Sequence, residues 1–137
     1  MEARVRQLQD YLTLMCKNIR NGAFKNESEV RSEFMRNVRN FLDGPDFAGI
    51  NIREEAWIIE GRPDARIGSL VLEFESPIYG KGNIREKVTE EKIVKVQQKY
   101  VKEYRLKGRP VRSLITNGIE MVFLDEEGNL VERGTVC

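Results

Sequence analysis

The chain has 137 residues with 23 basic and 22 acidic side chains, and the formal net charge of +1 argues against avid nonspecific binding to nucleic acid. A chain of this length can bury about two-thirds of its unfolded surface, enough for one core, so we expect a single domain over residues 1–137. It contains no histidine, which excludes Ser-His-Asp and Cys-His triads and histidine-based metal sites.

The apolar residues and the cysteines bear on location. The chain has no apolar window of about 18 residues and no apolar signal core at its start, so we expect neither a membrane span nor secretion. Cys16 and Cys137 have no zinc-site spacing and suggest no disulfide framework, which fits a reducing cytoplasm. We therefore expect a cytoplasmic protein without a membrane partner.

The first predicted helix covers residues 2–20, where apolar side chains recur at alternating steps of three and four. This stripe fits a core face, or a docking face through which two copies of the chain would form a homodimer. Its members are Val5, Leu8, Leu12, Met15 and Ile19.

The second predicted helix covers residues 27–42, with Asn26 as its N-cap and a stop at the Gly-Pro pair that follows. Glu27 falls on the same stripe as Val30 and Phe34, which turns its carboxylate inward in the first turn. The carboxylate is then either part of a site or a partner of the helix dipole.

Residues 61–77 read GRPDARIGSLVLEFESP and predict a β-hairpin of strands 63–67 and 70–75, after an earlier strand over 51–59. Its two-residue turn, Gly68-Ser69, begins with glycine. Two residues then pair across the hairpin when their numbers add to 137, as those of Ile67 and Leu70 do. Asp64 then opposes Glu73, with Cβ atoms about 5 Å apart. Glu75 lies one pleat further along the same face, opposite Arg62.

Carboxylates held this close repel each other, so they must be protonated, paired with a cation or bound to a metal. An oxygen-only donor set fits a hard divalent cation, Mg²⁺ with Mn²⁺ as a substitute. The alternative is that Arg62 and Arg66 neutralise the patch, which would then be a solvated sheet face.

A long helix is predicted over residues 86–107, after a loop rich in Gly and Lys. Gln97 lies there in a stripe with Ile93, Tyr100 and Tyr104, and a buried amide needs a hydrogen-bond partner. Lys95 points away from that stripe. Strands over 111–116 and 119–124 follow, and a Gly-Asn turn leads into a short last segment. This order predicts an α/β fold with a small mixed sheet flanked by helices.

Charge is distributed unevenly along the chain. Residues 43–76 carry three basic and eight acidic side chains, a net charge of −5, whereas residues 81–112 carry eleven basic and four acidic side chains, a net charge of +7. An acidic metal pocket beside a basic loop and helix suits a phosphodiester substrate, although a basic run can also be the solvated face of a helix.

In their order, these motifs resemble the PD-(D/E)xK nuclease superfamily with its restriction-endonuclease-like core, and particularly the nuclease domains of Type I and combined restriction-modification enzymes. The resemblance covers residues 26–124. Asp64 matches the family's Asp after Pro, and Glu73 matches the acidic residue of the next strand. Glu75 stands where the family's Lys is expected, and is either the working base or an inactivating replacement.

Three further segments carry the resemblance. Residues 26–35 resemble the family's first core helix, which opens with a Glu that reaches the metal site, here Glu27. Gln97 and Tyr100 resemble a Gln and a Tyr on the helix after the hairpin, at a spacing one residue shorter than usual. Residues 114–123 resemble a late strand, a Thr-Asn-Gly turn and a closing strand.

The resemblance implies a Mg²⁺-dependent endonuclease that hydrolyses double-stranded DNA in a restriction system. Asp64, Glu73 and the Phe74 carbonyl would bind the metal, and Glu75 would act as general base. Glu27 would hold a second metal or a bridging water. Methyltransferase, specificity or helicase domains of a larger enzyme would choose the sequence. The supporting and DNA-contacting residues would be Arg62, Gln97, Tyr100, Lys81, Lys92 and Lys99.

Three other functions stay open from the sequence. A catalytically inactive nuclease fold would bind DNA without cutting it. A structure-specific nuclease, such as a Holliday-junction resolvase, would share the site and prefer branched DNA. A non-nuclease interaction domain would dimerise through residues 2–20 and have no affinity for nucleic acid.

Overall fold

A computed structural model of the chain describes residues 2–24, 26–43, 47–50, 52–54, 65–75 and 91–137. The α/β class is confirmed, and both N-terminal helices have the bounds predicted from the sequence. The predicted segments 51–59, 63–67 and 86–107 lie partly outside the described residues. The described elements are α1 (Glu2–Arg20), α2 (Glu27–Leu42), β1 (Ile52–Glu54), β2 (Ala65–Ile67), β3 (Leu70–Phe74), α3 (Glu91–Leu106), β4 (Arg112–Thr116), β5 (Glu120–Leu124) and β6 (Leu130–Thr135).

The six described strands form one mixed sheet in the order of the chain, from β1 to β6. β3 and β4 are parallel neighbours joined by a crossover that includes α3, and the other four pairs of neighbours are antiparallel. The short last segment expected from the sequence is the six-residue strand β6, which pairs with β5. All six of its residues are exposed, so its sequence lacks the alternation of apolar side chains that predicts a strand.

The two faces of the sheet carry different helices. α1 and α2 pack on one face of the sheet. They form the main core with the side chains of β2, β3 and β4 on that face. α3 packs on the other face, where Val94 meets Ile115 and Val101 meets Val111. α3 therefore runs antiparallel to β4, with its first described turn towards the end of that strand. The buried main core comprises Met15, Cys16, Ile19, Val30, Phe34, Met35, Val38, Ala65, Leu72, Phe74, Leu114 and Ile119.

Side chains satisfy both ends of α2. The Asn26 Oδ1 accepts a hydrogen bond from the Glu29 amide at 2.9 Å, so the predicted N-cap is confirmed. At the other end, Arg4 Nη2 donates to the backbone carbonyls of Asn40, Phe41 and Asp43 at 3.0, 2.7 and 3.0 Å. Because the last carbonyls of a helix have no partner within it, Arg4 both caps α2 and ties it to α1.

The expectation that the cysteines form no disulfide is wrong. Cys16 of α1 and Cys137 are bonded to each other, with Cα atoms 6.1 Å apart and a sequence separation of 121. The strand order explains the error, because β6 returns the chain to α1, a proximity that cysteine spacing cannot reveal. None of the described helices has the length and apolar composition that crossing a lipid bilayer requires.

Candidate active site

The β2–β3 hairpin has the register predicted from the sequence. Its pairs are Ala65 with Leu72, Arg66 with Val71, and Ile67 with Leu70, all with the expected sum. Gly68 adopts a φ of +56°, which a tight primed turn requires of its first residue. The paired strand β2 begins at Ala65, and the expected partners Asp64 and Arg62 lie outside the described residues.

β3 presents its carboxylates to the α3 face of the sheet. Leu72 and Phe74 point into the main core, where the Phe74 ring meets the Phe34 ring edge-on with centroids 5.4 Å apart. Val71 packs against α3, and side chains alternate along a strand, so Glu73 and Glu75 follow Val71 onto the α3 face. Glu73 is half-buried, and its Oε2 atom is shielded from solvent.

A third carboxylate on this face comes from β5. Val122 and Leu124 pack on the α3 side, so alternation places Glu120 there as well. Glu120 is 6% exposed, and its Oε2 atom is buried. We did not single out Glu120 from the sequence, although the alternation of residues 120–124 contains the signal, because two buried apolar residues follow it at steps of two.

The turn at residues 116–120 joins Glu120 to the strand that carries Glu75. The Glu75 amide donates to the Thr116 carbonyl at 2.9 Å, which extends the parallel ladder by one residue. Asn117 Oδ1 accepts from the amides of Ile119 and Glu120 at 2.9 and 2.8 Å. Thr116 Oγ1 donates to the Glu120 carbonyl at 2.7 Å, so side chains of the turn fix the backbone of Glu120.

Glu73, Glu75 and Glu120 thus lie on one face of the sheet, Glu73 and Glu75 at the end of β3 and Glu120 on β5, with β4 between them. We call them the carboxylate row. Removing a carboxylate from water is costly unless it is protonated, paired or bound to a cation. The row is at the end of β3 and β4 that lies nearest to the first described turn of α3.

Gln97 is buried on the inner side of α3, as its stripe predicted. It is 6% exposed, and its Oε1 accepts a hydrogen bond from the buried Ser113 Oγ at 3.2 Å. Tyr100 is also buried and packs against Tyr104 with ring centroids 4.6 Å apart. In β4, Ser113 precedes by two residues the strand position that pairs with Glu73, a distance of about 6.6 Å along the strand.

The outer side of α3 is basic. Lys95, Lys99 and Lys102 are exposed, and their spacing of four and three residues places them in one stripe opposite Gln97. Lys95 is exposed on the side of α3 away from Gln97, as predicted, and Lys99 and Lys102 share that side. The backbone of Lys92 belongs to α3 and its side chain is not described, while Lys81 lies outside the described residues.

The side chains of two predicted site residues are not among those that the structure describes. Asp64 lies outside it, and only the backbone of Glu27 is described, in the first turn of α2. Within the described ranges, no group of three or more acidic, cysteine or histidine side chains is arranged to hold a metal ion. The site expected from the sequence includes Asp64 and Glu27.

Three comparisons with known proteins were made. No family model, curated protein or solved structure matches this chain. The observations that bear on function are therefore the geometry above and the motifs in the sequence.

Proposed function

We propose that this chain is the nuclease domain of a metal-dependent DNA endonuclease of the restriction type. The observation that carries the proposal is the register of the β2–β3 hairpin, which supports a carboxylate row on the α3 face next to the expected position of Asp64. The order of motifs over residues 26–124 supports it as well.

The donors fit a hard divalent cation. Asp64, Glu73 and the backbone carbonyl of Phe74 offer only oxygen, which Mg²⁺ and Mn²⁺ prefer. When bound, such a cation would polarise the scissile phosphate and make the attacking water more acidic. Glu120 adds further carboxyl oxygens to the same face, the donor type that a hard cation prefers.

The remaining roles belong to the side chains around the row. Glu75 would accept the proton of the attacking water as a positioned general base. Arg62 would supply the positive charge that a Lys gives in the resembling family, and Glu27 would hold a second cation or a bridging water. Gln97, held by Ser113, and Tyr100 would fix α3 against the sheet beside the row.

DNA would contact the outer side of α3 through phosphates. The exposed stripe of Lys95, Lys99 and Lys102 covers seven residue steps, about 10 Å of helix, and it runs towards the first described turn of α3. Phosphate contacts position a duplex without reading its bases. We propose that methyltransferase, specificity or helicase domains in a larger cytoplasmic enzyme choose the sequence.

The direct test is cleavage of supercoiled plasmid by the purified chain. Mg²⁺ or Mn²⁺ should produce nicked and linear DNA with little sequence preference, and EDTA should stop the reaction. An absence of cleavage under both metals, together with no metal-induced rise in melting temperature, would overturn the proposal.

Reversing the lysine stripe should weaken DNA binding uniformly. Changing Lys95, Lys99 and Lys102 to Glu should lower the affinity for duplexes of any sequence by at least about tenfold, and reduce the salt slope by about one per lysine. Fluorescence anisotropy at several salt concentrations measures both quantities. Lys17→Glu, on the exposed side of α1, is the control and should bind as wild type. Equal salt slopes in the two variants would exclude the stripe as the contact surface.

A second function is favoured by Glu75 itself, which stands where the resembling family has Lys. An inactive nuclease fold would keep the basic stripe and bind DNA without cutting it. Glu75→Lys discriminates between the two functions, because it should switch on plasmid cleavage in an inactive fold and lower cleavage when Glu75 is the working base. A chain that binds DNA and cuts with neither residue would establish the binding function.

A further inference from the structure

We propose that the Cys16–Cys137 disulfide is a redox-sensitive latch that holds the turn at residues 116–120, and through it the carboxylate row. Its effect on the turn stands by itself, whereas its effect on cleavage rests on the proposed function. The proposal starts from an asymmetry between the two cysteines. Cys16 is completely buried in the main core, whereas Cys137 is exposed.

The residue next to Cys137 connects the disulfide to the turn. The Val136 amide donates to the Ile119 carbonyl at 2.7 Å, and the Val136 side chain packs against the main core. Gly118 of the same turn lies against Ile19 and Met15 of α1, next to Cys16. The disulfide therefore clamps the turn between α1 and residues 136–137.

The turn at residues 116–120 also holds the backbone of the carboxylate row. The carbonyl of its first residue, Thr116, accepts a hydrogen bond from the Glu75 amide at 2.9 Å. Its last residue is Glu120. A continuous set of contacts thus leads from the Cys137 sulfur through Val136 and Ile119 to the backbone of Glu75 and Glu120. Contacts of this kind transmit a change only when the element between them has two states, which the latched and released turn would supply.

The chemistry of the latch is thiol–disulfide exchange with a low-molecular-weight thiol such as glutathione. The thiolate attacks the exposed Cys137 sulfur, the bond to Cys16 breaks, and Cys16 leaves and takes up a proton. A second thiolate releases Cys137 as a free thiol and forms oxidised glutathione, so two electrons and two protons pass to the protein. Arg20 Nε lies 3.4 Å from the Cys137 sulfur and Arg20 Nη2 donates to the Cys137 carbonyl at 3.1 Å, and these contacts with α1 would keep Cys137 near Cys16 for reoxidation.

Hydrogen exchange of the full chain, oxidised and reduced, tests the latch without using activity. Reduction should speed exchange of the Val136, Gly118 and Ile119 amides by at least about tenfold, and leave the Leu72 amide in β3 unchanged. It should also lower the melting temperature by about 10 °C. Cys137→Ser, at the exposed cysteine, should behave as the reduced protein and ignore the reductant. Equal exchange in both states would overturn the latch.

A glutathione titration distinguishes a reversible redox switch from a permanent structural disulfide. The latch requires that the bond opens within about a hundredfold excess of reduced over oxidised glutathione and closes again when the ratio is reversed. A bond that stays closed throughout, or that never forms, would overturn the proposal. Cleavage is then compared in both states. A change in exchange with no cleavage in either state would keep the latch and reject the nuclease, whereas equal cleavage in both would reject the coupling.

Discussion

On the proposed function, Glu73→Gln is expected to abolish almost completely the rise in melting temperature that Mg²⁺ or Mn²⁺ causes. A cation that binds only the folded state raises stability, by roughly 3 kcal/mol at a hundredfold excess over its dissociation constant. Glutamine has nearly the shape of glutamate but no charge, and Glu73 contributes a half-buried carboxylate to the row. We expect the Mg²⁺- or Mn²⁺-induced rise in melting temperature to disappear. Cleavage should fall by at least about 100-fold, since even groups that only support a metal ligand cost 10- to 100-fold.

Glu103→Gln provides the matched control. Glu103 is exposed on α3, so the same loss of one negative charge should leave both the melting response and cleavage unchanged. Differential scanning calorimetry with and without metal, and plasmid cleavage under the same conditions, measure the two effects. Equal metal-induced stabilisation of Glu73→Gln and the wild type would refute a metal site at Glu73.

Gly118→Ala is expected to cause the largest loss of stability among simple substitutions in the turn. Gly118 has a φ of +88°, a conformation that costs alanine about 1 kcal/mol. A Cβ at this position would also collide with Ile19 Cδ1, and would lie 3.0 Å from Met15 Cε and 3.4 Å from Val30 Cγ1. Overpacking of a close-packed core adds about 1–3 kcal/mol, so we expect about 2–4 kcal/mol in all.

Gly108→Ala separates the two contributions. Gly108 has a similar φ of +73°, but a Cβ there would meet nothing within 4 Å. It should therefore lose only the conformational part, about 1 kcal/mol. Urea denaturation of both variants gives the comparison. A loss in Gly118→Ala no larger than that in Gly108→Ala would mean that α1 yields to the methyl group and that the turn is not clamped.

Local signals predicted those parts of the fold whose cause is local. Asn26 was identifiable as an N-cap because its side chain bonds the Glu29 amide three residues later. The hairpin register followed from a glycine at the first turn position. Both interactions connect residues a few positions apart, so the sequence contains their full physical description.

The features that escaped prediction depend on distant partners. The disulfide joins residues 121 positions apart, and only the strand order brings them together. The partner of Gln97 is Ser113, across the crossover, and the burial of Glu120 depends on how α3 covers β5. β6 has six exposed residues, so its pairing with β5 left no hydrophobic signature. Asp64 and Glu27 keep the status of predictions, because their side chains lie outside the described part of the chain.

The parallel pairing of β3 with β4 has a consequence for the order of folding. The hairpins β2–β3 and β4–β5 close over short stretches of chain, whereas β3 and β4 are far apart in sequence. Long loops close slowly and at a cost in entropy. Glu75 and Glu120 lie on opposite sides of β4, so they share one sheet only after β3 and β4 have paired. On the proposed function, we therefore expect ion binding to be the last property gained on refolding, after the helical and hairpin signals have reached their native values.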